Sequence, residues 1–173
     1  PEGVFSGYSF NEILFLKILI SKNFSNNHYI IFGVNTLEPT SGLFYNSMIA
    51  INNNFEIIQS YNKRKLVPFG EFLPFENFLK KLGLKKITQG YQSFSADDKR
   101  EILEINQLKF IPLICYEIIY SGKINPNKNY YDFILNISED GWFGKTIGPE
   151  QHLTHSIFRS IEEGKNLIRS TNN

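Results

Sequence analysis

The sequence predicts an α/β chain in which strands and helices are stacked as α+β layers, on three observations. Short apolar runs of strand length recur along it: Tyr29–Val34, Phe44–Ile51, Leu108–Ile114 and Tyr131–Ile137. Two stretches instead carry apolar residues at near-helical spacing, Asn11–Ile20 and Pro149–Lys165. Strands and helices do not alternate strictly, which argues against a doubly wound sheet and for layers. At 173 residues with 42% hydrophobic and 20% charged side chains, the chain suits one domain with a sizeable core.

In chain order, Pro1–Gly7 is irregular and carries the carboxylate of Glu2. Ser9 is placed to cap the first helix. Asn35–Gly42 reads as a loop broken by Pro39. Phe44–Ile51 and Phe55–Ser60 read as consecutive strands joined at Asn52-Asn53-Asn54. Tyr61–Pro74 is a long loop with two prolines, three bases and Glu71. A short helix over Phe75–Leu82, closed by Gly83, and a polar stretch Lys85–Arg100 follow. Ile102–Ile105 and Leu108–Ile114 form a hairpin through Asn106-Gln107. Ser121–Asn129 is a turn-rich connector, and Ser138–Gly148 a loop after the Tyr131 strand. Pro149 suits a helix start, Gly164 weakens that helix at its end, and Leu167–Ser170 is a last strand.

Composition removes several function classes. Eighteen basic and 17 acidic residues leave a net charge of +1, too little for a large nucleic-acid footprint. One cysteine permits no intrachain disulfide. Ile13–Ile20 is the longest lipid-like run, but it is too short to span a bilayer and contains Lys17. His152 and His155 lie one turn apart without a third ligand at suitable spacing, so no metal is expected. Gly141-Trp142-Phe143-Gly144 lacks the spacing and lysine of a phosphate loop, and no G-x-S-x-G elbow is present.

The chemistry concentrates around Leu108–Tyr120. Cys115, the only cysteine, ends an apolar run and is followed by Tyr116 and Glu117. A lone cysteine beside Ile and Leu is commonly core filling, so it needs partners before it reads as a nucleophile. A cation that stabilises the thiolate, or a base that takes its proton, supplies them. Lys63 is the candidate cation and Glu2 the candidate base. Read singly, each is a solvated loop charge.

Together, Pro1-Glu2, Tyr61-Asn62-Lys63 and Ile114-Cys115-Tyr116-Glu117 resemble the nitrilase (carbon–nitrogen hydrolase) superfamily. KRKLVPFGEFLPFE (Lys63–Glu76), the WFG of Trp142–Gly144, GPEQH and IRSTN resemble its apolipoprotein N-acyltransferase family. The resemblance implies a four-layer α-β-β-α sandwich, truncated here at both ends, with the family's N-terminal transmembrane bundle missing from this piece. It implies Glu2 as general base, Lys63 as the lysine and Cys115 as nucleophile. Glu71, Tyr116 and Glu117 are then supporting residues, and Trp142 and Phe143 belong to a substrate-binding loop. The three triad residues are expected to meet in one pocket, with Glu71 or Glu117 within salt-bridge range of Lys63.

The implied activity moves an acyl chain from a phospholipid, through a cysteine thioester, to the N-terminal cysteine amine of an apolipoprotein. It needs no cofactor, and its implied setting is the bacterial inner membrane with this domain on the periplasmic side. Two departures stand out: Glu139-Asp140-Gly141 where the family usually has Asn-Asp-Ala, and Lys65 where it commonly has His. A soluble nitrilase-type amidase and an inactive nitrilase-like fragment or interaction domain are the other readings.

Overall fold

Alternating side chains send the apolar residues of one strand to both faces of its sheet, and here both faces are covered. The computed structural model describes residues 1–5, 7–75, 93–99 and 101–172. β1 (Ile30–Leu37), β2 (Phe44–Ile51) and β3 (Ile57–Asn62) form an antiparallel sheet in that order. β4 (Leu103–Ile105), β5 (Leu108–Ile114), β6 (Phe133–Glu139) and β7 (Asn166–Asn172) form a second sheet. Its β4–β5 pair is antiparallel, and β5, β6 and β7 are parallel.

Along β2, Met48 and Ala50 enter the space between the sheets and share a cluster with Phe110, Ile114, Leu135 and Ile137. Ile49 and Ile51 point the other way and pack with Ile13, Phe32 and Phe55. β5 divides likewise: Ile111 and Leu113 join Ile118, Ile124 and Ile134 on the outer side of the second sheet. The first sheet is covered by a 3-10 turn, Phe10–Leu16, that continues as α1 (Lys17–Asn23). Against the second sheet lies α2 (Gly148–Glu163), which touches β7 and the 3-10 turn Cys115–Ile119. The layers are therefore α-β-β-α, as the family resemblance implies.

Local chemistry explains most boundaries. The Glu12 carboxylate accepts from the Ser9 N–H at 2.7 Å and its hydroxyl at 2.8 Å, which starts the first helix. Asn106 and Gln107 sit at φ 49° and 69°, the left-handed pair that a two-residue hairpin turn requires. Gly164, at φ 59°, closes α2 as a left-handed C-cap, so this glycine ends the helix rather than weakening it.

Other expectations are corrected. β1 runs on through Leu37, because Asn35, Thr36 and Leu37 pair with Asn46, Tyr45 and Phe44 of β2. β3 begins at Ile57 rather than Phe55, whose φ of 63° belongs to the preceding turn, and extends through Asn62. β6 and β7 are likewise displaced or lengthened by the parallel ladder between them. The expected helix after Phe75, with its closing Gly83, lies outside the described residues.

The largest correction concerns α2. Leu153, Ile157, Phe158 and Ile161 are all at least half exposed, while His152, Ser156 and Arg159 are buried. The helix turns a polar face inward, to serve polar groups beneath it.

Gly33 on β1 positions the N-terminal segment. A Cβ there would lie 2.3 Å from the carbonyl oxygen of Glu2 and 2.6 Å from its Cα. The Gly33 N–H also donates to the Pro1 carbonyl at 3.2 Å. Gly33→Ala should push Glu2 out of place and cost about 1–3 kcal/mol through overpacking. The measurement is a melting curve beside an assay of Cys115 reactivity, with both expected to fall.

Candidate active site

Lys63 follows directly on the end of β3, and its side chain is 1% exposed. A buried ammonium needs close anions, and it has two. Nζ donates to Glu2 Oε1 at 3.0 Å and to Glu71 Oε1 at 2.9 Å. Burial by itself would lower the lysine's pKa, but Glu2, Cys115 and Glu71 outweigh it and raise it above the ordinary value.

Each carboxylate is fixed by further donors. Asn46 Nδ2, on β2, donates to Glu2 Oε1 at 2.7 Å and to Glu71 Oε1 at 2.8 Å. Glu2 Oε2 accepts from the Glu139 N–H at 3.1 Å. Glu71 Oε2 accepts from the Val67 N–H at 2.8 Å, across the tight L-V-P-F-G-E turn. Glu2, from the N-terminal segment, and Glu71, from the loop after β3, thus bracket one amine.

Cys115 begins the 3-10 turn after β5, with φ of 50°. A non-glycine residue in this region is strained, and such strain gathers at functional sites. The half-buried Cys115 packs against the intersheet cluster, and Glu2, Lys63 and Ser138 are the groups that act on its thiol electrostatically. Burial and the Glu2 charge push its pKa up to about 12, against the opposing pull of Lys63 and Ser138. At neutral pH it is therefore a thiol.

The remaining expected residues divide. Glu117 is fully buried. Its oxygens accept from the Arg64 N–H at 3.0 Å, the Lys65 N–H at 3.2 Å, the Ile114 N–H at 2.9 Å and the Tyr61 hydroxyl at 2.9 Å. It ties the residues after Lys63 to the residue before Cys115. Tyr116 is partly exposed, with its ring edge-on to Tyr120. Trp142 is exposed, whereas Phe143 lies edge-on to His152 at 5.6 Å. In the Glu139-Asp140-Gly141 departure, a Cβ at Gly141 would lie 2.9 Å from Glu139 Oε1, the end of a flexible side chain.

Sequence reasoning missed Asn46 and a buried polar cluster behind Cys115. Asp140 Oδ1 accepts from Ser138 Oγ at 2.6 Å and faces His152 Nδ1 at 2.9 Å. Asp140 Oδ2 accepts from Arg169 Nη2 at 2.6 Å. Arg169 also donates to Asn136 and Ser156. Burial would raise the Asp140 pKa, but the bonds from Ser138, Arg169 and His152 hold it below the usual carboxylate value. The one available signal was polar residues within apolar runs, such as Asn46 and Asn136.

The family model for carbon-nitrogen hydrolases matches residues 13–173. The chain belongs to the carbon–nitrogen hydrolase family. Among curated members of similar sequence is an apolipoprotein N-acyltransferase of Rhizobium rhizogenes, 43% identical over 75% of this chain and 24% of its own length. Another, from Vibrio vulnificus, is 37% identical over 100% of this chain and 35% of its own length. The chain thus spans about a quarter to a third of these relatives. Among solved structures, a mutant amidase from Nesterenkonia sp. AN1 has a TM-score of 0.59 at 13% identity, over 99% of this chain and 57% of that one. That structure shows covalent addition of the acetamide moiety of fluoroacetamide at the amidase's active-site cysteine. At this identity the likeness is one of fold, and it agrees with the layered sheets of a carbon–nitrogen hydrolase.

Proposed function

We propose that the chain is the catalytic domain of an N-acyltransferase that moves an acyl group from a phospholipid to the N-terminal cysteine amine of an apolipoprotein. The observation that carries this reading is the 37–43% identity to apolipoprotein N-acyltransferases, in a chain whose Lys63 sits between Glu2 and Glu71 beside Cys115.

In the first step Glu2 takes the thiol proton as sulfur attacks the ester carbon of the donor. The tetrahedral oxyanion is stabilised by the Lys63 ammonium and the Tyr116 N–H. It collapses to a thioester, and the lysophospholipid leaves with the proton from Glu2. In the second step the acceptor amine attacks the thioester carbonyl and gives a proton to Glu2. The new amide departs, and the sulfur is reprotonated. Glu71 holds Lys63 throughout, so the ammonium stays charged and in place. An apolar surround keeps water from competing with the amine. No cofactor takes part.

Both substrates of this reading are lipid-linked, and the similarity to apolipoprotein N-acyltransferases supports a setting at the bacterial inner membrane, with the domain on the periplasmic side and Trp142 on the substrate-facing loop. Among the described residues no helix is long and apolar enough to cross a membrane.

The test incubates the full-length gene product with acyl-labelled phospholipid and a lipid-modified peptide bearing a free N-terminal cysteine. Label on the peptide amine is the expected result. Ammonia released from small amides, with no label transferred, would favour the amidase reading instead.

A further inference from the structure

The carbonyl oxygen of Cys115 is held by side chains that the chemistry above leaves unused. His152 Nε2, on α2, lies 3.2 Å from it, and Asn136 Nδ2, on β6, lies 3.5 Å away. A carbonyl oxygen only accepts, so Nε2 is the donor. The other ring nitrogen, Nδ1, faces both Asp140 Oδ1 at 2.9 Å and Arg169 Nη2 at 3.1 Å; in the neutral ring it accepts from the guanidinium. Asp140 is in turn held by Ser138 Oγ and Arg169 Nη2, each at 2.6 Å. His152 and Asp140 are each 3% exposed, and the Phe143 ring closes over the histidine. The imidazole therefore has little freedom to turn away from the carbonyl.

The peptide joining Cys115 to Tyr116 is planar, and in the trans form its C=O and N–H point in opposite directions. Whatever holds the Cys115 carbonyl thus aims the Tyr116 N–H. A hydrogen bond to the carbonyl also polarises the amide, which makes its N–H a stronger donor. We propose that His152, oriented by Asp140 and Arg169, is a positioning residue for acyl transfer: it clamps the Cys115–Tyr116 peptide so that the Tyr116 N–H faces the developing oxyanion. The proposal rests on the reading of Cys115 as the acyl-carrying nucleophile. It also accounts for the polar inner face of α2.

A histidine that merely fills the core would support every reaction of the thiol alike, and this separates the two roles. Acylation builds an oxyanion. Alkylation by iodoacetamide does not: sulfur attacks a saturated carbon, a C–S bond forms, and iodide leaves. In the full-length gene product, His152→Met and His152→Gln have similar shape, but only glutamine retains an N–H donor.

The methionine variant should form the acyl-enzyme about 10- to 100-fold more slowly, part of what losing an oxyanion donor costs. Its alkylation rate should stay within about threefold, since the thiol and its base are untouched. Glutamine should restore most of the acylation. Equal loss of acylation and alkylation, equal loss in both variants, or no loss at all would overturn the proposal. Should the methionine variant not fold, His152→Asn provides the second measurement. Its amide is too short to reach the carbonyl, so acylation must fall while alkylation holds. Cys115→Ser in the same assay tests the underlying reading: unchanged acyl transfer there would remove that reading, and the positioning role with it.

Discussion

Cys115→Ser should abolish the acyl-enzyme and slow transfer to a peptide amine by about 10³-fold or more, with little change in melting temperature near neutral pH. The alcohol is far less acidic than the thiol, so Glu2 would have to activate a much poorer nucleophile. Any oxygen ester formed would also be a worse acyl donor to an amine. Volume hardly changes, and the site is only half buried, so packing survives. A core-filling cysteine predicts the opposite: normal transfer and at most a modest change in stability.

The same variant should carry a pH signature. In the fold the thiol is pushed from the ordinary 9.0 up to about 12. A raised folded pKa stabilises the native state below the unfolded value, and that contribution drains away as pH climbs through the folded one. Wild type should therefore lose stability from about pH 9 upward relative to the serine variant. Melting temperatures measured from pH 7 to 11 check this, and parallel curves for the two proteins would contradict it.

Lys63→Met should cost both stability and activity. It leaves Glu2 and Glu71 buried around Asn46 with no cation between them. Breaking a buried ion cluster by removing one partner costs about 3–5 kcal/mol. For a domain of this size that is roughly 10 °C or more in melting temperature. Activity should fall by at least about 10²–10³-fold, because the ammonium proposed to stabilise the oxyanion is gone. The thiol loses the charge that pulled its pKa down, so Cys115 alkylation near pH 8 should slow as well.

Adding Glu71→Gln separates the two losses. With one buried carboxylate neutralised, the double variant should recover much of the stability and none of the activity. Recovery of acyl transfer in that protein would show that Lys63 serves the fold alone. Lys63→Arg is not a conservative rescue, since a planar guanidinium does not fit a pocket shaped around a compact ammonium.

Local order in the sequence determined much of the layered fold. β2 lies over Phe44–Ile51 as expected, because the apolar run Met48–Ile51 fills both faces of the strand and the asparagine turn follows at once. The hairpin through Asn106-Gln107 and the helix opening at Pro149 are equally local, since each depends on backbone preferences of a few adjacent residues. Cys115, Lys63, Glu2 and Glu71 stood out as polar groups at the margins of apolar runs, and the family resemblance grouped them.

Only the tertiary structure decided what those groups touch. Asn46 bridges Glu2 and Glu71 because antiparallel pairing brings the start of β2 beside the end of β3 and the N-terminal segment. His152, Asp140 and Arg169 meet behind Cys115 because parallel β6 and β7 place Asn136 opposite Arg169, with α2 folded across them. Periodicity counts apolar residues, so on α2 it pointed to Leu153, Ile157 and Ile161, which the structure leaves exposed. A buried polar residue is stabilised by partners far away in sequence, and no local pattern encodes where those partners will be.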